Sequence, residues 1–124
     1  MTDTRVFSFD PKAALIAYHA AVEAQDFATT AAMFHPDIAY ESPGVGTVTG
    51  RDAVIDSFRA YFAEHPDQTA VDDRVERVAP LAAHADWRLT ATKRSTGERI
   101  ERAGEEAVFF DEDGLIVRVI VADR

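Results

Sequence analysis

The sequence predicts an α+β domain, helices first and an antiparallel sheet after them. Three observations carry this. Apolar residues recur at helical spacing only between Pro11 and Glu64. From about Thr69 onward they recur at every second residue, in runs separated by turn signals. The prolines, and the glycines apart from Gly104, fall at the boundaries rather than the interiors.

The elements follow in order. Asp10-Pro11 starts the first helix, with an N-cap acceptor and proline at the first helical position. Leu15, Tyr18 and Val22 form one apolar track along it, with His19 on a second. Asp26 ends this helix and caps a shorter one, whose stripe is Phe27, Ala31 and Phe34. His35-Pro36 stops that helix, because the residue before proline avoids the helical region. Ile38 to Ser42 reads as a short strand and Pro43 to Gly50 as a glycine-rich loop. That loop lacks the glycine-lysine-serine or -threonine ending of a phosphate loop. Arg51 to Glu64 is the third helix, with Val54, Ile55, Phe58, Tyr61 and Phe62 along one side.

Four strands are expected next. Thr69 to Ala79 carries Val71, Val75 and Ala79 on one face. Ala82 to Thr92 alternates cleanly, with Ala83, Ala85, Trp87, Leu89 and Ala91 on one face and His84, Asp86 and Arg88 on the other. Arg99 to Phe110 and Leu115 to Ala122 follow, joined at Asp111 to Gly114 as consecutive hairpins of a meander. In the last strand Val117, Val119 and Val121 share one face, and Ile116 and Ile120 the other. Helices can cover only one of these faces. A second copy of the chain, in a two-fold homodimer, is expected to cover the other.

The chain has 124 residues, which favours one domain over 1–124, with residues 1–10 a loosely ordered segment. It has no cysteine, so disulfides, thiolate metal sites and cysteine nucleophiles are excluded. The opening Met1 to Phe7 has no basic region followed by an apolar run, and no stretch approaches the ~18 apolar residues of a membrane helix. A cytoplasmic protein that does not engage membranes is expected. The formal net charge of −9 repels phosphate backbones. The densest basic group (Arg88, Lys93, Arg94, Arg99, Arg102) is interleaved with Glu98 and Glu101, as on a solvated hairpin. No nucleic-acid partner is expected. The four histidines fall on different elements without ligand spacing, so no metal and no cofactor is expected.

The local strings carry a family resemblance. Tyr18 followed by Asp26, then Met33-Phe34-His35-Pro36-Asp37, Tyr40-Glu41-Ser42-Pro43, Gly50-Arg51-Asp52 and Phe109 to Ile116 resemble, in order and spacing, the pattern of SnoaL-like and ketosteroid-isomerase-like proteins of the nuclear-transport-factor-2-like superfamily. The resemblance implies three N-terminal helices packed into a curved antiparallel sheet, a cone-shaped barrel with an internal pocket. It implies a small apolar organic ligand there, with Phe34, Phe58, Phe62, Trp87, Leu89, Val108 and Val119 as its lining.

The resemblance also implies site residues. Tyr18 matches the isomerase tyrosine that donates to the substrate oxygen, and Glu106 the carboxylic acid beside it. Tyr18 can equally be a helix-face aromatic packed on the sheet. A one-residue register difference would put Glu105 inward in place of Glu106. The isomerase base is replaced: Ser42, before Pro43, stands where that family has aspartate. A serine hydroxyl alone is too weak to take a carbon-bound proton near pH 7. Asp123 shares parity with Val119 and Val121 and matches the acidic residue that SnoaL-like cyclases place near the end of the last strand. It can equally be a terminal aspartate paired with a surface arginine. An isomerase, cyclase or hydro-lyase using acid/base chemistry on a carbonyl compound is the expectation, beside a non-catalytic homodimeric binding module.

Overall fold

The computed structural model describes residues 9–43 and 46–124. Most of the expected N-terminal segment therefore lies outside the described residues, as do Gly44 and Val45 of the glycine-rich loop. The order is α1 (Pro11–Glu23), α2 (Phe27–Ala32), β1 (Phe34–Ser42), β2 (Gly46–Thr49), α3 (Arg51–Glu64), β3 (Thr69–Ala79), β4 (Ala82–Thr92), β5 (Arg99–Phe110) and β6 (Ile116–Asp123).

The caps are those the sequence signals. The Asp10 carboxylate accepts from the Ala13 N–H at 3.1 Å, and Asp26 caps α2 through the Thr29 N–H and hydroxyl. Gly50 precedes α3 at φ +96°, a conformation that favours glycine. Its N–H donates to the Ile38 carbonyl at 2.8 Å.

The second helix is shorter than expected. Phe34, His35 and Pro36 do not continue it; they open β1. Phe34 pairs with Ile116 of β6, and the Ile116 N–H donates to the Met33 carbonyl at 2.8 Å. Pro36 falls where the ladder skips between Phe34 and Ala39, so its missing N–H breaks no pairing. Part of the glycine-rich loop is also a strand. β2 folds back on β1, with Val48 opposite Tyr40.

Six strands form one sheet in the order β2-β1-β6-β5-β4-β3. The β1–β6 pair is parallel and the others antiparallel, so the sheet is mixed. Among the described residues no ladder joins β2 to β3, and the sheet is not closed into a barrel. Packed on it, α1 lies against β3 and β4, and α3 against β1 and β2. The core between them includes Leu15, Phe34, Ile38, Val54, Val108 and Val119, each at most 1% exposed.

Two irregularities reassign faces that simple alternation misplaces. In β3 the register shifts between Asp72 and Arg74. Val71 is therefore 46% exposed, while Val75 packs against the core. In β6 the pairing moves from Ile116 opposite Phe110 to Arg118 opposite Phe109. Ile116 thus joins Val119 in the core, although alternation put them on opposite faces.

Candidate active site

The inner face of the sheet, α1 and α3 enclose a partly open cavity of about 160 Å³. Tyr18, His19, Val22 and Glu23 reach it from α1, and Phe58, Tyr61 and Phe62 from α3. Trp87 and Leu89 of β4, Arg102 and Glu106 of β5, and Val121 of β6 form much of its floor. The strand pairing explains that floor. Trp87 lies opposite Gly104, and Glu106 opposite both Ala85 and Val121, so the inward residues of three strands sit side by side.

One end is a chain of three charged side chains. His19 Nδ1 lies 2.8 Å from Asp72 Oδ2, and His19 Nε2 lies 3.0 Å from Glu106 Oε1. Burial pulls the imidazole pKa down. The charge of Glu106, the hydrogen bonds to Asp72 and Glu106, and the charge of Asp72 outweigh it, and His19 is pushed up to about 10. At neutral pH the ring is an imidazolium, donating from Nδ1 to Asp72 and from Nε2 to Glu106. The second Glu106 oxygen takes no hydrogen bond among the described residues, although the residue is only 7% exposed.

Tyr18 stands beside this group, its ring 5.3 Å from that of His19. Burial, then the charge of Glu106, then Tyr40 push its hydroxyl well above the ordinary tyrosine range, so it remains an O–H donor. Among the described residues no hydrogen bond contributes to this shift, and Tyr18 lines the cavity. Tyr40, also on the cavity wall, is held protonated in the same way, by burial first and Glu106 second.

Arg102 occupies a second polar region of the wall. It ion-pairs with Asp123 at 2.6 Å and lies 5.6 Å above the Trp87 ring. Close by, the Tyr61 hydroxyl donates to Gln68, and Gln68 donates to Glu23 at 2.9 Å. The buried indole N–H of Trp87 has no acceptor among the described residues.

The sequence-predicted residues divide accordingly. Tyr18, Glu106, Phe58, Phe62, Trp87 and Leu89 line the cavity. Glu105 does not; it faces the other side, with Arg124 at 3.2 Å and His84 at 3.5 Å. Phe34, Val108 and Val119 are not on the wall. Phe34 is wedged between Tyr18 and Phe58, and Val108 and Val119 pair with each other one inward position deeper than Glu106 and Val121. Asp123 is not among the lining residues either. Its half-exposed carboxylate is bound by Arg102.

The sequence reading missed much of the polar wall, His19, Asp72 and Arg102 above all, with Glu23, Tyr40, Tyr61 and Gln68. The second track of α1 does not by itself mark His19 as a site residue, Asp72 is turned inward by the β3 bulge, and Arg102 reads in the sequence as part of a solvated hairpin. Outside the cavity, His84, Asp86 and Glu105 bring ligand atoms within 4.8 Å of one another on the opposite face. The guanidinium of Arg124 bonds both carboxylates there.

Known proteins share this architecture. The profile of the SnoaL-like domain matches residues 15–119. A search of curated protein sequences finds no match. Among solved structures, RV0760c from Mycobacterium tuberculosis in complex with estradiol-17β-hemisuccinate superposes with a TM-score of 0.79 at 19% identity, over 91% of this chain and 93% of that one. The epoxide hydrolase/cyclase-like enzyme SalBIII, of pyran ring formation in polyether salinomycin, gives 0.80 at 15% identity, over 92% and 90%. A ketosteroid isomerase-like protein from Erwinia carotovora atroseptica gives 0.70 at 21% identity, over 91% and 92%. The fold is that of these ketosteroid-isomerase-like and nuclear-transport-factor-2-like structures. Among the described residues no helix is long and apolar enough to cross a membrane.

Proposed function

We propose that this chain, which belongs to the SnoaL-like domain family, is a single-domain enzyme that moves a proton on a small, largely apolar, carbonyl-bearing molecule held in the cavity. The observation that carries this reading is the Asp72–His19–Glu106 chain, ending in a free carboxylate oxygen beside the Tyr18 hydroxyl.

The roles follow from donor and acceptor chemistry. Tyr18 O–H donates to the substrate carbonyl and stabilises the enolate oxygen that forms. The free oxygen of Glu106 takes the proton from the adjacent carbon and returns it elsewhere. His19, locked by Asp72, holds Glu106 in one orientation and places a positive charge behind it. The family resemblance makes Glu106 the counterpart of a carboxylic acid that stands beside the tyrosine. With the His19 Nε2–H pointed at its Oε1, the better role is base. The proton-carrying role expected of Asp123 passes to Glu106, because Arg102 occupies the Asp123 carboxylate. Isomerisation, aldol-type cyclisation and dehydration all begin with this proton transfer. The relatives with cyclase-like and isomerase-like names support the class and leave the substrate open.

The working form in this reading is a cytoplasmic homodimer. Phe109, 37% exposed, and Ile120 lie on the sheet face that no helix among the described residues covers, and this supports pairing through that face. The test of the catalytic reading is protein-dependent exchange of α-protons for deuterium in a ketone probe, compared between the wild type and Glu106→Gln.

A further inference from the structure

We infer that the cavity takes an anionic substrate, with a carboxylate bound by Arg102 at the end away from Glu106. The inference rests on reading the cavity as the substrate site, and adds a substrate class to it.

The strand geometry sets the two ends. Arg102, Gly104 and Glu106 share the inward face of β5, which places Arg102 and Glu106 roughly 13 Å apart along the strand. Gly104 between them leaves the space that the Trp87 indole fills. A Cβ at Gly104 would lie 2.5 Å from Trp87 Cζ2 and run into the Ala122 carbonyl. Phe58, Phe62, Leu89 and Val121 make the neighbouring wall apolar. The cavity thus runs from the Glu106 carboxylate, across an aromatic floor, to a guanidinium.

Arg102 can accept such a partner. Asp123 engages one of its terminal nitrogens, at 2.6 Å, and its other N–H groups have no acceptor among the described residues. A guanidinium presents five donors in a planar fork, so a carboxylate can bind beside Asp123. His19, the other cation among the described wall residues, is already held by two carboxylates. A preference for anions cannot come from the overall field, because the formal net charge is −9. It would have to come from this residue.

The probes are the ω-benzoylalkanoates of increasing chain length, each an aryl ketone with a terminal carboxylate, and their uncharged methyl esters. Trp87, the single tryptophan, lies on the cavity floor and reports binding by fluorescence. One acid of the series should bind the wild type roughly tenfold to a hundredfold more tightly than its ester, the range of a charge-assisted hydrogen bond. Arg102→Gln should remove that preference, and Arg102→Lys should keep part of it. Asp123→Asn should preserve or increase it.

Equal binding of acids and esters by the wild type overturns the inference, whatever the variants do. So does failure of every acid to bind at roughly millimolar concentration. Glu106→Gln separates the two proposals. If it keeps the acid preference and no protein exchanges α-protons, the catalytic reading fails and the anion site stands. If exchange depends on Glu106 but esters and acids bind alike, the anion site fails and the catalytic reading stands.

Discussion

His19 Nε2 lies 3.0 Å from Glu106 Oε1, although the two residues come from opposite ends of the chain. With Nδ1 on Asp72 at 2.8 Å, one imidazolium ties α1 to β3 and β5. Its pKa of about 10 is set against burial by two carboxylates. Nitrogen NMR of His19 should show both ring nitrogens protonated through pH 8. A ring that titrates near its ordinary 6.5 contradicts this.

The same shift predicts a pH dependence of stability. The folded pKa lies above the unfolded value of 6.5, so the folded state binds the extra proton. The stabilisation is complete below about 6.5 and is lost as pH rises toward about 10. Denaturant midpoints should fall across that alkaline window in the wild type. His19→Gln should flatten the fall, and an identical slope in both proteins would remove His19 as its cause.

The site residues should respond differently from one another. On whichever ketone probe exchanges, Glu106→Gln should lower the rate roughly 10²- to 10⁴-fold, the usual worth of a positioned general base. Tyr18→Phe should lower it by roughly 10²-fold or more, as for loss of one oxyanion donor. Asp72→Asn acts through His19. It should lower the His19 pKa and move the pH–rate profile, an effect that a merely structural role would not produce.

Gly104 should resist the smallest substitution. A Cβ there meets the Ala122 carbonyl, which is backbone, and the Trp87 indole, which is packed. Gly104→Ala should destabilise by about 1–3 kcal/mol through overpacking and shift the Trp87 emission. A variant as stable as the wild type with unchanged emission would show that the approach of β5 to β6 is not tight.

The outer sheet face predicts an assembly. Light scattering should give twice the chain mass of 13.6 kDa at micromolar concentration, and Phe109→Asp should return it to one chain. A wild-type mass of a single chain would sink the dimer.

Much of this was legible in the sequence, because period and punctuation report backbone geometry directly. α3, β3, β4 and β5 fall where the alternation and the caps put them. Tyr18 and Glu106 came from resemblance, and Glu106 over Glu105 needed the β5 register. What stayed hidden depended on long-range pairing. Phe34 looks like the last residue of a helical stripe until Ile116 pairs with it. Asp72 looks outward until the bulge after it is known, and without Asp72 nothing marks His19 as more than a core-edge histidine. Arg102 reads as one charge among several on a hairpin until the Trp87 ring is seen beneath it.

The most direct test of the central claim is α-proton exchange in deuterated water, followed by proton NMR on the benzoylalkanoate series. The predicted result is protein-dependent loss of the α-proton signal, abolished or cut at least about a hundredfold in a folded Glu106→Gln protein. Exchange that is no faster than in buffer for every probe, or that persists undiminished in Glu106→Gln, would contradict a Glu106 base at this cavity.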